Sequence, residues 1–246
     1  MFELTGRRAL VTGGGQGVGA GIVRVLAAAG AEVGVNDLHA ERAEAVAAEV
    51  VAAGGRAVAV PFDVTDRVAV ASAIAAFGDV DILVNNAGIP ETMRPTQFRD
   101  FAPEDWDPYV QVNLYGVLHC TKAVVDGMVE RGFGRVITIS SGAGIVGLNI
   151  GVSLYGAGKG GALAFMRHLA VELGRTGVTA NSIALGLMEM KPGADRSVTE
   201  AMARQVPKGR LGTGTDAGHL CAFLASDEAS WLTGQTIQLN GGSVTT

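Results

Sequence analysis

The sequence predicts an α/β fold: a doubly wound parallel sheet of about seven strands with helices on both faces. Three observations predict it. Short β-branched runs alternate with Ala-rich helical stretches along the whole chain. A glycine-rich loop, Thr12 to Gly19, lies between the first strand and the first helix. The interior must be filled by aliphatic side chains, because hydrophobic residues make up 48% of the chain and aromatic ones only 5%. Ala, Val, Leu and Ile are the usual filling between helices and a parallel sheet.

The elements follow in order. Ala9–Val11 reads as a strand, and 17–29 as a helix with Ile22, Val23 and Leu26 on one face. Residues 32–36 form a strand and 40–53 a helix. Residues 57–60, 82–84 and 135–139 are further strands. Residues 104–131 and 153–175 are the two long helices, and 178–183 and 236–239 are the last strands. No linker, low-complexity tract or repeat divides the 246 residues, so they are expected to form one domain, residues 1–246. Such a domain buries a substantial core without disulfides or metals, and no metal site is expected.

Composition excludes several classes. The 36 glycines follow no repeat, so the chain is not collagen-like. The net charge is −5 and no basic stripe appears, so no nucleic-acid partner is expected. Residues 136–158 carry no charge and are long enough to span a bilayer. They also hold Ser140, Ser141, Asn149, Ser153 and several glycines. They read as a strand and then a loop, the wall of a buried site and not a membrane helix. The N-terminus shows no basic region followed by an apolar stretch and cleavage site. Cys120 and Cys221 lie far apart in apolar helical patterns and read as reduced thiols of a cytoplasmic protein.

The loop TGGGQGVG carries the first functional signal. Its glycines, Gly13, Gly15, Gly17 and Gly19, allow a tight turn and a close approach of backbone to a pyrophosphate. The helix opening at Gly17, with Gln16 before it and Val18 after it, offers free N–H groups and a positive dipole end to that anion. Gly-rich turns also serve purely as turns, but the strand before and the helix after make phosphate binding the favoured reading. Asp37 ends the second strand, where a carboxylate accepts hydrogen bonds from the adenosine ribose hydroxyls. It also repels the 2′-phosphate of NADP. Gln16 and Leu38, best placed to neutralise that phosphate, are not basic. His39 and Arg42 are read as belonging to the exposed start of the next helix. NAD is therefore expected, with NADP less favoured. A helix-capping role for Asp37 is compatible with this.

The second signal is YGAGK, which sets Tyr155 and Lys159 at i and i+4 on one helix face. A phenol with a pKa of about 10 needs help to exchange protons near neutral pH. Bringing that pKa near 7 takes roughly 4 kcal/mol of differential stabilisation. Lys159 and a cationic nicotinamide together are the expected source. Taken alone, such a pair also reads as an ordinary helix-surface contact.

With these motifs in this order, the chain resembles the short-chain dehydrogenase/reductase family from about Gly6 to Gly242. After the glycine loop come Asp63 and Val64, similar to the pair that contacts adenine. Asn85–Gly88, NNAG, brings Asn86, Ala87 and Gly88 beside the cofactor. Asn113 lies in VNLYG. Ser140 and Ser141 precede Tyr155 and Lys159, and the chain closes with ASWLTGQTIQLNGG. The resemblance implies that Tyr155 is the general acid in reduction and the general base in oxidation. It implies that Ser141 holds the substrate oxygen, and that Lys159 binds the nicotinamide ribose and lowers the Tyr155 pKa. Asn113 would position a water linking Lys159 to solvent. Asn113 also reads as filling a helix irregularity, and Ser141 as a strand end. Gly186 and Met188 fall where the family's cofactor wall continues.

The chain departs from similar proteins in three places. Ser141 lies one residue farther from the tyrosine than usual; Gly142, at the usual offset, has no hydroxyl, so Ser141 is the choice. The sixth strand is followed by Leu185 and Gly186 with Met190, where relatives have Pro-Gly and a threonine, which puts one cofactor contact in doubt. The stretch from Asp63 to Asp81 is about one helical turn short.

The expected reaction is NAD-dependent interconversion of a secondary alcohol and a ketone. The alternatives are a 3-oxoacyl-acyl-carrier-protein reductase using NADPH, and a non-catalytic NAD-binding regulator on the same fold. An enoyl reductase fits less well, because that branch spaces its Tyr and Lys more widely. Substrate is expected to meet 90–101, 144–154 and 187–206. Ile145, Val146, Leu148, Ile150, Leu187, Met188 and Met190 suggest an apolar pocket there, with Arg94 and Lys191 within reach. Residues 105–131 and 153–174 resemble the helices that pair between subunits. Gly158, Gly160, Gly161, Ala162 and Ala164 are small enough for close approach, so a homotetramer is expected.

Overall fold

A computed structural model describes residues 2–90, 93–189 and 195–245. Met190 and Lys191 lie outside the described residues. Seven parallel strands form one sheet in the order β3-β2-β1-β4-β5-β6-β7. The strands are β1 (Arg8–Val11), β2 (Glu32–Val35), β3 (Arg56–Ala59), β4 (Ile82–Asn85), β5 (Gly134–Ser141), β6 (Val178–Leu185) and β7 (Thr236–Leu239). The helices are α1 (Gly17–Ala28), α2 (Ala40–Ala52), α3 (Arg67–Phe77), α4 (Asp107–Val110), α5 (Gly116–Glu130), α6 (Ser153–Glu172), α7 (Arg196–Ala203) and α8 (Gly214–Ala225). The expected doubly wound, Rossmann-like sheet is what forms.

Side chains that alternate along each strand build two cores. Ala9 and Val11 of β1, Ile82 and Val84 of β4, and Ile137 and Ile139 of β5 join Ile22, Leu26 and Leu224 on one face. Leu10, Leu83 and Val136 point the other way and join Val124, Met128 and Met166. A strand buried on both faces is mostly apolar, which explains the runs of β1 and β4; the buried polar residues of β5 and β6, Arg135, Thr138, Asn181 and Ser182 among them, interrupt theirs. The order reverses between β1 and β4, and at that point the C-terminal strand ends open a crevice.

Three helices, α3, α7 and α8, were not anticipated. In α3 only Val70 and Ile74 are buried, too narrow a stripe for a clear 3.6-residue period. Its start signal is nonetheless present: Asp66 Oδ1 accepts from the Val68 and Ala69 N–H groups at 2.9 and 3.0 Å. Helix α8 begins at a capping box in which Thr213 and Asp216 satisfy each other's backbone N–H.

The expected continuous helix over 104–131 is broken. A 3₁₀ turn (Pro103–Asp105) and α4 lead into a π turn (Gln111–Tyr115), and α5 follows. The Gly116 N–H reaches back five residues to the Gln111 carbonyl. The apolar stretch 136–158 is β5, a 3₁₀ turn (Gly142–Gly144), a loop and the start of α6. Among the described residues no helix is long and apolar enough to cross a membrane.

Candidate active site

The glycine loop leaves β1 over the crevice. Gly13 (φ 60°) and Gly17 (φ 52°) take left-handed backbone conformations, which glycine adopts at little cost. The loop is held from two sides. The Thr12 hydroxyl oxygen accepts from the Asn86 and Ala87 N–H groups at 2.9 and 3.1 Å. The Asn86 side-chain amide donates to the Thr12 and Gly13 carbonyls at 2.9 and 3.0 Å. On the other side, the Asn36 carbonyl accepts from the Gly14 N–H at 2.6 Å, and the Asn36 amide donates to the Val60 and Phe62 carbonyls at 3.1 and 2.9 Å. Asn86 thus anchors the loop as well as facing the cleft. Thr12 and Asn36 were not singled out from the sequence. Thr12 stood inside the motif, but only the residues after it were weighed.

Gln16, extended and without a side-chain cap, leaves the first N–H groups of α1 facing a cleft of about 1120 Å³. Gly13, Gln16, Gly17, Val18 and Gly19 line it at one end, with Asp37, Leu38, Asp63 and Val64 beyond. Ala87 and Gly88 line the middle, and Ser141, Tyr155, Lys159, Gly186 and Met188 the far end. Gly15 is not on this wall. It packs behind the loop, its N–H donating to Asp37 Oδ2 at 3.2 Å. Asp63 is fixed in a turn by the Thr65 N–H and hydroxyl, both at 2.8 Å.

Asp37 is 5% exposed. Its Oδ1 accepts from the His39 N–H at 3.1 Å and faces Arg42 Nη1 at 3.9 Å. His39 and Arg42 both line the cleft. They sit at the start of α2, as expected, but are only partly exposed and face the cleft. His39 is extended, and the first turn of α2 brings Arg42 back over the carboxylate.

At the far end, Ser141 closes β5. Its Oγ accepts from the Ala143 N–H at 3.2 Å and lies beside Tyr155, whose phenolate it favours. The longer sequence spacing therefore still brings serine to tyrosine. Lys159, 3% exposed, donates from Nζ to the Ile139 carbonyl at 2.7 Å. Asn113 is fully buried in the π turn, and its Nδ2 donates to the Tyr109 carbonyl at 2.9 Å. Its Oδ1 is buried with no hydrogen-bond partner among the described residues. Asn113 therefore fills a helix irregularity and stands beside Lys159. Gly88 shows how close they are, since a Cβ there would lie 2.9 Å from Asn113 Oδ1 and closer still to Lys159 Nζ.

Burial dominates the electrostatics. It lowers the Lys159 pKa to about 8 and raises that of Tyr155, with the Ser141 hydroxyl acting against the rise. The expected lowering of Tyr155 by Lys159 is absent from the chain alone. The ammonium is itself destabilised by burial and is committed to the Ile139 carbonyl. The other expected cation, the nicotinamide, belongs to the cofactor.

The apolar residues expected around substrate divide between two places. Leu187 and Met188 line the cleft with Ile89, Pro90 and Met93. Ile145, Val146 and Leu148 line a separate groove of about 360 Å³ with Phe98. Ile150 is 57% exposed. Arg94 lines the cleft. The small residues of α6 also serve within the chain. Gly158 packs on Asn113 and Tyr109, Gly160 on Gly144, and Gly161 on Leu114.

The uncapped helix start, the glycine cradle and the orphaned Asn113 oxygen beside Lys159 fit a bound dinucleotide, which the cleft residues would hold. A short chain dehydrogenase family model matches residues 7–201. Nodulation protein G of Rhizobium meliloti is 40% identical over 98% of each chain. The 3-oxoacyl-acyl-carrier-protein reductase FabG of Escherichia coli is 37% identical over 98% of each. The structure of a gluconate 5-dehydrogenase from Burkholderia cenocepacia, with NADP and tartrate, superposes with TM-score 0.90 at 34% identity, covering 98% of this chain and 96% of that one. That of a 3-oxoacyl-acyl-carrier-protein reductase from Brucella melitensis, with NAD, gives 0.92 at 32%, covering 99% and 94%. The chain belongs to the short-chain dehydrogenase/reductase family and is an NAD(P)-dependent oxidoreductase.

Proposed function

We propose that this enzyme interconverts a secondary alcohol and a ketone, preferring NAD, with Tyr155 exchanging the proton. The observation that carries the reading is the convergence of Ser141, Tyr155 and buried Lys159 at one end of a cleft whose opposite end holds buried Asp37. When bound, the cofactor accepts or supplies the hydride. In oxidation, Tyr155 Oη takes the alcohol proton while Ser141 Oγ holds the same oxygen. In reduction, Tyr155 returns that proton to the ketone oxygen. Lys159 holds the nicotinamide ribose. Asn113 Oδ1 orients a water against the ammonium, which carries the proton outward. Asp37 receives the adenosine ribose hydroxyls and repels a 2′-phosphate. Proton transfer by such a group is worth about 10²–10⁴-fold.

A 3-oxoacyl group offers a ketone and gluconate a secondary alcohol, the two sides of the interconversion proposed here. Ile89, Pro90, Met93, Leu187 and Met188 favour a largely apolar substrate at this site. The reading includes a homotetramer of two-fold interfaces built on α5 and α6, tested by light scattering at micromolar concentration. It also includes a cytoplasmic location, supported by two free, buried cysteines, one of them pushed up to about 12 by burial.

A screen of secondary alcohols with NAD and NADP as separate cofactors tests the reading. At least one alcohol should reduce NAD faster than NADP. Absence of turnover with every alcohol and ketone would favour a binding regulator instead. Higher efficiency with NADP would overturn the preference.

A further inference from the structure

We propose that His119 is a positioning residue for cofactor binding, whose imidazole clamps the adenine-side turn, 63–65, to α5. The proposal rests on the reading that the adenosine lies at this end of the cleft.

Asp63, Val64 and Thr65 line the cleft together. Asp63 fixes the turn from within, through the Thr65 N–H and hydroxyl. From outside the turn, His119 Nδ1 lies 3.1 Å from the Val64 carbonyl oxygen, 55 residues away in sequence. A carbonyl only accepts, so Nδ1 carries the proton and donates. Among the described residues no other hydrogen bond reaches that carbonyl. Gly116, one turn earlier on the same face of α5, meets the Val64 side chain: a Cβ there would lie 2.8 Å from Val64 Cγ2. Two residues of α5 thus hold Val64, one by its side chain and one by its carbonyl. The Tyr115 ring, 6.2 Å away, flanks the imidazole. His119 is not itself on the cleft wall, so it acts through Val64.

Val64 is buried, and a buried carbonyl that loses its donor is satisfied only by water. Reaching water means that the turn lifts from α5 and Val64 leaves the wall that the adenine meets. The cofactor must then close the turn as it binds. Its apparent affinity falls with the fraction of molecules whose turn is already closed. Ser141, Tyr155 and Lys159 are carried by other elements, β5 and α6. The effect therefore belongs to binding and not to the chemical step. A His119 that served stability alone would lower the melting temperature and leave affinity untouched.

The test is the dissociation constant of NADH, by fluorescence titration, and of AMP, by competition with NADH. It is measured in the unmutated protein, His119→Leu, His119→Asn, His119→Gln and Asp63→Ala. His119→Leu should weaken both ligands by about tenfold, the scale of one lost hydrogen bond. It should raise the KM for NAD more than it changes kcat. The amide of His119→Asn sets an N–H where Nδ1 stood and should restore most of the affinity. That of His119→Gln falls farther out and should not. If His119→Leu does not fold, the Asn and Gln pair still decides. Unchanged NADH and AMP affinity in His119→Leu, or equal affinity in the Asn and Gln variants, would overturn the proposal even if melting falls. AMP binding that Asp63→Ala weakens and His119→Leu does not would overturn the clamp alone. AMP binding indifferent to both would overturn the placement of the adenosine on which the clamp rests.

Discussion

The Asn113 side-chain amide donates to the Tyr109 carbonyl at 2.9 Å, tying the π turn to the helix before it. The same side chain leaves Oδ1 facing the space between Gly88 and Lys159. One residue thus stabilises an irregular helix and presents an acceptor to the site. Asn113→Ala removes the donor from a fully buried position, which costs about 1–3 kcal/mol. We expect a lower melting temperature and a fall in turnover larger than the fall in cofactor affinity. Unchanged melting and turnover would contradict this role.

Gly88 makes room for that arrangement. Its φ is not left-handed, so alanine is tolerated by the backbone there. The added methyl would instead collide with Lys159 Nζ and Asn113 Oδ1. Gly88→Ala should leave the far-UV circular dichroism unchanged and lower kcat by about tenfold or more, as misplaced catalytic groups do. Full activity would show that Lys159 is not held where turnover needs it.

Lys159 makes a prediction about stability. Burial lowers its pKa from 10.5 to about 8, so the folded state disfavours the charged form. Between pH 8 and 10.5 the unfolded chain binds more protons, and stability rises with pH. Below pH 8 the penalty is constant, about 3 kcal/mol. Lys159→Met removes the buried charge and should raise the melting temperature at pH 7. The difference should shrink as the pH rises through that window. A variant less stable than the unmutated protein at pH 7 would contradict the assignment.

Strand β4 was legible because a strand buried on both faces leaves a continuous apolar run; the edge strands β3 and β7, only partly buried, were read from their short β-branched runs instead. Helix α3 was not, since Val68 in it is 64% exposed and its apolar residues do not all turn inward. Helix α8 carried a readable signal, Thr213 with Asp216, that was not used. Ser141, Tyr155 and Lys159 were legible as an ordered set of motifs. Arg42 was not, because the extended His39 decides which way the first turn of α2 faces. The π turn was legible only as a possible role for Asn113, since five-residue hydrogen bonding leaves no period of its own.

The most direct test is the rate of NAD reduction by Tyr155→Phe, with a secondary alcohol that the unmutated enzyme turns over, measured across pH. Lys159→Met and the double variant serve as companions. Because burial raises the phenol's pKa in the chain alone, oxidation by the unmutated enzyme should accelerate with rising pH. Residual oxidation by Lys159→Met should need higher pH still. The double variant should be no worse than Tyr155→Phe, since both changes act on one proton transfer. Tyr155→Phe should lose nearly all turnover at every pH while still binding NADH. Near-normal turnover by Tyr155→Phe would contradict the account.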